Sequence, residues 1–352
     1  MSDLGTSRVF VPEPISEGPN SKLIRIIGLP VVQPDQFGNY VPEVHGNIDA
    51  FDAVHTFAAV WRVDNMLRRA FRAADENVPS GWQWGDSPLE VHPHFSQRSG
   101  AWYRRRSKRI EFNYFSYEAK VIYTCRSYDI VAHETAHAVL DAMKPGWYPG
   151  SSSLKQTLAI HESFADLAAV FALLDQPTVC TDIIASCRGD LHAKTFLSLF
   201  AEQYGATKRP LQGYMRNADN DLRLGDVDRS RRYELSKVLT GAIYDIFVDV
   251  FELHISDPYC NFAATLNRVG ELVLHRLVDA IIKAPESNAT FKDVAEIMIS
   301  NEQDECFRQI IRRQFGCRGI LLDSTGDTDA DHLSDAELSL EEFCSCPNDC
   351  DS

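Results

Sequence analysis

Residues 131–143 read VAHETAHAVLDAM, an apolar run without Gly or Pro whose only ionisable side chains are His133, Glu134, His137 and Asp141. Its dense Ala, Val, Leu and Met content predicts a buried helix. Positions i and i+4 of a helix share one face a turn apart, so His133 and His137 present two imidazole nitrogens to a single point, as a metal ion requires. Glu134 follows His133 by about 100° of rotation, too far round to ligate comfortably but suitably placed to hold a metal-bound water. The helix is expected to begin at Ser127 or Asp129, either of which can cap it, and to stop at Lys144-Pro145-Gly146.

Two imidazoles do not complete a metal site. The next helical stretch, 157–175 (TLAIHESFADLAAVFALLD), is small or apolar at nearly every position yet carries Glu162 and Asp166 at i and i+4. An otherwise buried helix cannot leave two inward carboxylates without partners, because an unpaired buried charge is costly. A metal held by His133, His137 and Glu162 resolves that cost, with Asp166 accepting the ring N–H of a ligating histidine. His161 is the competing third ligand. It points about 100° away from Glu162 and has no carboxylate one turn on, which ranks Glu162 first.

HETAHAVLDAM followed by HESFADL resembles the thermolysin-like neutral metallopeptidases, the gluzincins, in which HExxH precedes a Glu-x-x-x-Asp segment. The similarity extends over residues 46–320. FDAVHTFAAVWRVDNML resembles the long amphipathic helix of the family's N-terminal lobe, and SGAWYRRRSKRIEF its edge strand and hairpin, where a substrate backbone adds as an extra strand near Ala101 and Trp102. SKVLTGAIYDIF, LVLHRLVDAIIK, NATFKDVAEIM and FRQIIRRQFGCRGI resemble successive helices of the helical lobe. The resemblance implies an α+β, two-lobed fold with a zinc cleft between a mixed α/β lobe and a mainly helical one. It implies one catalytic zinc on His133, His137 and Glu162, with Glu134 as general base and Asp166 behind a ligand. Tyr148, eleven residues after His137, is implied as an oxyanion donor, and Arg216 as a residue near the primed-side pocket.

Three positions depart from the family pattern. Ser236 in YELSKVLTG stands where the resemblance expects an oxyanion-binding histidine; His192, His254 and His275 are the alternatives elsewhere in the chain. His161 replaces the asparagine before the glutamate ligand. Asp129 matches a calcium ligand of the family, but Leu173 stands where a calcium-binding glutamate is expected, so structural calcium is not predicted.

A chain of 352 residues with 44% hydrophobic content has ample material for a large core. No window approaches 18 uninterrupted apolar residues, so no membrane span is expected, and a net charge of -15 argues against nucleic-acid affinity. The first twenty residues have no apolar core of the secretory kind, and the nine cysteines do not form a disulfide framework. Both features lead to the expectation of a cytoplasmic protein, or one exported by a route that the sequence does not advertise. The basic hairpin YRRRSKRIEF reads as a solvated turn or as a surface for an acidic substrate or partner.

The expected organisation is an N-terminal extension (1–45) containing the strand-like KLIRIIGLPVV, a mixed α/β lobe with the HExxH helix (46–155), a helical lobe with the third ligand (156–320), and an acidic tail (321–352). Within that tail, residues 323–352 hold ten Asp or Glu and no Lys or Arg. Asp327, Asp329 and Asp331 have calcium-loop spacing, but His332 replaces the needed glycine. Cys344, Cys346 and Cys350 read as reduced thiols on a peripheral end, or as a soft-metal or inhibitory cluster. The expected function is zinc-dependent hydrolysis of peptide bonds in a peptide or protein substrate. The alternatives are a zinc-stabilised pseudo-peptidase acting as an interaction or scaffold protein, and a peptidase dedicated to one intracellular substrate. Oligomeric state is not readable from the sequence.

Overall fold

A computed structural model of the chain describes residues 9–11, 18–42, 46–152, 154–209, 211–256 and 260–322. The acidic stretch 323–352, with Asp327, Asp329, Asp331 and the cysteines at 344, 346 and 350, lies outside the described residues.

The first long apolar periodicity folds as α1 (Ile48–Ala74), capped by the Asn47 side chain, which accepts from the Ala50 N–H. Of KLIRIIGLPVV only β1 (Ile24–Ile26) is a strand, and a four-stranded sheet follows with β2 (Leu89–His92), β3 (Ala101–Arg104) and β4 (Arg109–Phe112) in the order β1-β2-β4-β3. β1, β2 and β4 run parallel, whereas β3 pairs antiparallel with β4 through a tight turn and forms the outer edge. A two-stranded ribbon, β5 (Tyr114–Tyr117) and β6 (Lys120–Tyr123), leads into α2 (Tyr128–Met143).

From there the chain is mainly helical: α3 (Lys155–Leu174), α4 (Pro177–Cys187), α5 (Glu202–Lys208), α6 (Arg232–Ile255), α7 (Phe262–Lys283), α8 (Phe291–Asn301) and α9 (Glu305–Cys317). One small ribbon, β7 (Leu199–Phe200) with β8 (Arg216–Asn217), interrupts it. Thr290 and Asp293 form a reciprocal capping box at the start of α8.

α3 is the centre of the molecule. Every residue after Lys155 is buried, and α1, α2, α6 and α7 all pack on it. Its alanines at 159, 165, 168, 169 and 172 let neighbours approach on all sides, so this core helix, long and apolar enough to cross a membrane, is wholly enclosed. α2 lies between α3 and the sheet, so polar groups on its α3-facing side are sealed from bulk water.

The end of α2 is clamped. Lys144 is buried and donates to the Ala284 carbonyl at 2.9 Å and Glu286 Oε1 at 2.6 Å, while Trp147 Nε1 donates to the Pro285 carbonyl at 2.9 Å. A Cβ at Gly146 would stand 2.3 Å from the Glu286 carbonyl oxygen, so glycine is required there for close approach. The clamp fixes the turn that carries Tyr148. At the other end Ser127 occupies the cap position, but its hydroxyl bonds to the Asp129 carboxylate rather than to a helix N–H. Asp129 in turn accepts from the Ile130 N–H at 2.9 Å and from the Ala201 N–H.

Candidate metal centre

His133 and His137 on α2 and Glu162 on α3 converge in the buried seam between those helices. The two Nε2 atoms stand 3.0 Å apart, and Glu162 Oε2 is 3.6 Å from each. The circle through three atoms so spaced has a radius of about 2.0 Å, the length of a bond from a divalent metal to nitrogen or oxygen. Glu162 Oε2 is buried and has no hydrogen-bond partner among the described residues. An acceptor left in that condition is expensive, and a cation at the common point satisfies it. The donor set therefore fits a metal ion.

Each ligand is held from behind. Asp166, one turn after Glu162, lies 2.9 Å from His133 Nδ1, and the same oxygen lies 2.9 Å from Arg216 Nη2. Arg216 belongs to β8, and its side chain is 11% exposed; it is a largely enclosed partner of Asp166 rather than a surface arginine. His161 is within 2.7 Å of His137 Nδ1 through its own Nδ1, which places it behind a ligand rather than in the cluster. Arg232, at the start of α6, comes within 3.6 Å of Glu162 Oε1, the oxygen turned away from the histidines.

These neighbours set the protonation states. Burial opposes charge on His133, but the carboxylates of Asp166 and Glu162 outweigh it and raise its pKa to about 9. Burial works against ionisation of Glu162 as well; His137, His133 and Arg232 nevertheless hold its pKa well below the ordinary value. His161 is driven well below 6.5 by burial, reinforced by His137, and is neutral.

Glu134 sits beside the three donors without joining them. Its Oε2 accepts the Tyr103 N–H from β3 at 2.7 Å, and burial raises its pKa, with His133 and His137 pulling the other way. Tyr148 lies on the rim: its hydroxyl accepts the Arg105 N–H at 3.4 Å, its ring is 6.1 Å from that of His161, and burial raises its pKa so that it keeps its proton. Arg105 stacks over this ring at 4.1 Å and also reaches Asp141 on α2 through Nε at 2.8 Å, while Tyr103 donates to Asp141 at 2.6 Å. The edge strand, the metal-binding helix and Tyr148 are thus tied into one network.

Gly100 accepts from the Asn113 N–H, and antiparallel alternation then points the backbone groups of Trp102 and Arg104 toward β4 and those of Ala101 and Tyr103 off the free edge. Ala101 offers its backbone at that edge. Trp102 does not, and its side chain is buried.

Ser236 Oγ donates to the Tyr233 carbonyl of its own helix at 3.0 Å. One turn earlier, Tyr233 accepts from Arg232 Nη2 at 2.7 Å, and burial, with the nearby Glu162 charge, raises its pKa. His192 pairs with Asp219 at 2.9 Å, His254 bonds to the Val250 carbonyl of its own helix, and His275 neighbours Glu271 and Arg276. Arg232, Tyr233 and the Arg105–Asp141–Tyr103 network were not singled out from sequence.

Among solved structures, the fold is similar to the precursor of protealysin, a metalloproteinase from Serratia proteamaculans, with a TM-score of 0.53 and 12% identity over 88% of this chain and 90% of that one. No protein-family model and no curated protein sequence matches the chain. At that identity the likeness is one of fold: a mixed α/β N-terminal part and a helical C-terminal part, with a His-His-Glu group where α2 and α3 meet.

Proposed function

We propose that the protein is a zinc-dependent peptidase. The observation that carries this reading is the convergence of His133 Nε2, His137 Nε2 and Glu162 Oε2 on one point, with a buried, unligating carboxylate, Glu134, at its side. Two imidazoles and one carboxylate in a closed cluster suit zinc among the common divalent ions. Bound there, zinc supplies Lewis acidity that brings the pKa of a water toward neutrality.

The chain's own groups supply the rest. Glu134, its pKa raised, takes a proton from water and returns it to the leaving amine. The Tyr103 N–H holds its carboxylate in place for both transfers. Tyr148, protonated across the working range, donates to the oxygen on which charge develops. The backbone of Ala101 and the Tyr103 carbonyl line an edge on which an extended peptide adds as a strand.

A purely structural zinc site has no use for a base beside the metal, which favours the catalytic reading over the scaffold. The test is zinc stoichiometry, measured alongside cleavage of a mixed peptide library with and without chelator, on the wild type and on Glu134→Gln. The expected outcome is one zinc in both proteins and chelator-sensitive cleavage in the wild type alone. Full turnover by Glu134→Gln would refute the role of the base.

A further inference from the structure

We propose that the free edge of β3 binds an extended peptide carrying carboxylates at alternate positions, and that Arg98 and Arg104 select it. The cleavage test of this idea rests on the peptidase reading; the binding test rests on geometry alone.

The two faces of β3 differ in chemistry. Tyr103 points toward α2, where it meets Asp141, so Trp102 and Arg104 project on the opposite face. Trp102 is buried there because two guanidinium groups cover its ring, Arg98 at 4.2 Å and Arg104 at 5.4 Å. The same face holds an excess of positive charge. Arg98, Arg104 and Arg109 crowd one buried carboxylate, Glu111, at 3.1, 3.6 and 2.6 Å. The other carboxylate of this face, Glu90, is on β2, two strands in from the edge, and lies opposite Arg109. Arg106 and Lys108 add two exposed cations in the turn between β3 and β4. In a chain of net charge -15, this concentration at the edge that passes Glu134 runs against the general balance.

A strand added to β3 places its residues opposite Trp102 and Arg104 on the same face as those side chains. Carboxylates two residues apart in the ligand therefore meet Arg98 and Arg104, whose planar forks suit carboxylate oxygens. Lysines at the same positions meet like charge. The intervening side chains point the other way, toward α2 and the metal cluster. The recognised class is an extended peptide with the pattern acid-x-acid across the edge.

The test uses the full chain with zinc, as Glu134→Gln so that ligands survive, and fluorescence anisotropy with three labelled peptides that differ only in having Glu, Gln or Lys at two alternate positions. The Glu peptide is expected to bind about tenfold more tightly than the Gln peptide, with the Lys peptide weakest. Raising salt from about 50 to 300 mM should erode that preference. In Arg98→Gln/Arg104→Gln the preference should fall to about twofold or less, and Arg98→Lys/Arg104→Lys should restore part of it. Should the double variant fail to fold, Arg106→Glu, at an exposed turn position, is expected to lower the preference. Equal affinities for the three peptides would overturn the proposal. On the active enzyme, metal-dependent cleavage without preference for the Glu peptide would overturn it while leaving the peptidase standing. A Glu preference in binding without metal-dependent cleavage of any peptide would support the cradle and refute the peptidase. Competition by a synthetic peptide of residues 323–352 would support the cradle and add the chain's own acidic end as a ligand.

Discussion

Asp166→Asn tests the support of the metal cluster more sharply than removal of a ligand does. One oxygen of Asp166 serves both His133 Nδ1 and Arg216 Nη2, each at 2.9 Å. Asn retains the shape but not the charge. His133 keeps at best a neutral acceptor for its ring N–H in place of a carboxylate, and metal affinity should fall by about 10- to 100-fold. Arg216, largely enclosed, loses the carboxylate beside its Nη2, and breaking a fully enclosed pair costs about 3–5 kcal/mol; its 11% exposure and its further contacts place the expected loss at or below the lower end of that range. Arg216→Met alone strands Asp166 in the same way, although His133 still compensates it. The double variant Asp166→Asn/Arg216→Met removes both charges together. It should recover about 1–3 kcal/mol of stability relative to the sum of the single changes, while zinc affinity stays low because the His133 partner is still altered. Urea unfolding gives the first quantity and competition with a chelating dye the second. Zinc affinity within twofold of wild type in Asp166→Asn, or additive stability losses in the double variant, would refute the shared-oxygen reasoning.

Zinc binding should weaken as pH falls below about 9, since His133 is protonated below the value to which Asp166 and Glu162 raise it and must release that proton to become a ligand; dye competition between pH 6 and 9 measures the slope, and a flat profile contradicts it. The acid limb of kcat/KM should lie above the ordinary glutamate range of pH 4.5, because burial raises the pKa of Glu134 and a base works only when deprotonated; a limb at or below pH 4.5 would argue against Glu134 as the base. Tyr148→Phe should lower kcat by about 10- to 1,000-fold with little change in KM, as expected of a donor used in the transition state, and equal kcat would remove Tyr148 from that role. Gly146→Ala should destabilise the fold, because its Cβ meets the Glu286 carbonyl oxygen at 2.3 Å and overpacking there costs about 1–3 kcal/mol; an unchanged urea midpoint would show that the clamp yields.

The features legible in the sequence repeat within one element. His133 with His137 and Glu162 with Asp166 are i, i+4 pairs, so helical periodicity alone places each pair on one face, and the same periodicity, from Ile48 to about Arg72, marks out α1 (Ile48–Ala74). The capping box at the start of α8 is likewise written locally, as Thr290 with an acid three residues on, Asp293. What escaped notice joins elements far apart in the chain. Arg105 reaches Asp141 across 36 residues, Arg232 reaches Glu162 across 70 residues, and no local pattern records such pairs. His161 illustrates the limit from the other side. Its helical angle argued correctly that it points away from Glu162, but only the packing of α3 on α2 shows that this direction leads to the back of His137. The run KLIRIIGLPVV shows the converse, since apolar content suggested a longer strand than the three residues that find a partner in β2.

The long-range pairs also separate Glu134 from the other acids. Asp166 has Arg216, Glu162 has Arg232, and Asp141 has Arg105. Each arginine approaches its carboxylate from outside the metal cluster, so the oxygens of those three acids are engaged by fixed partners; burial raises the pKa of Asp141, yet its oxygens are taken by Arg105 and Tyr103. Among the described residues no arginine pairs with Glu134. Its stabilising contacts are one backbone N–H and the two histidines of the cluster, and those histidines turn their Nε2 atoms toward the metal position. Burial raises the pKa of a carboxylate compensated so lightly, whereas Glu162, beside Arg232 and the two histidines, is held well below the ordinary value. The permanent charge balance of the site therefore leaves one acid free to exchange protons, and it is the acid that stands beside the three donors without ligating.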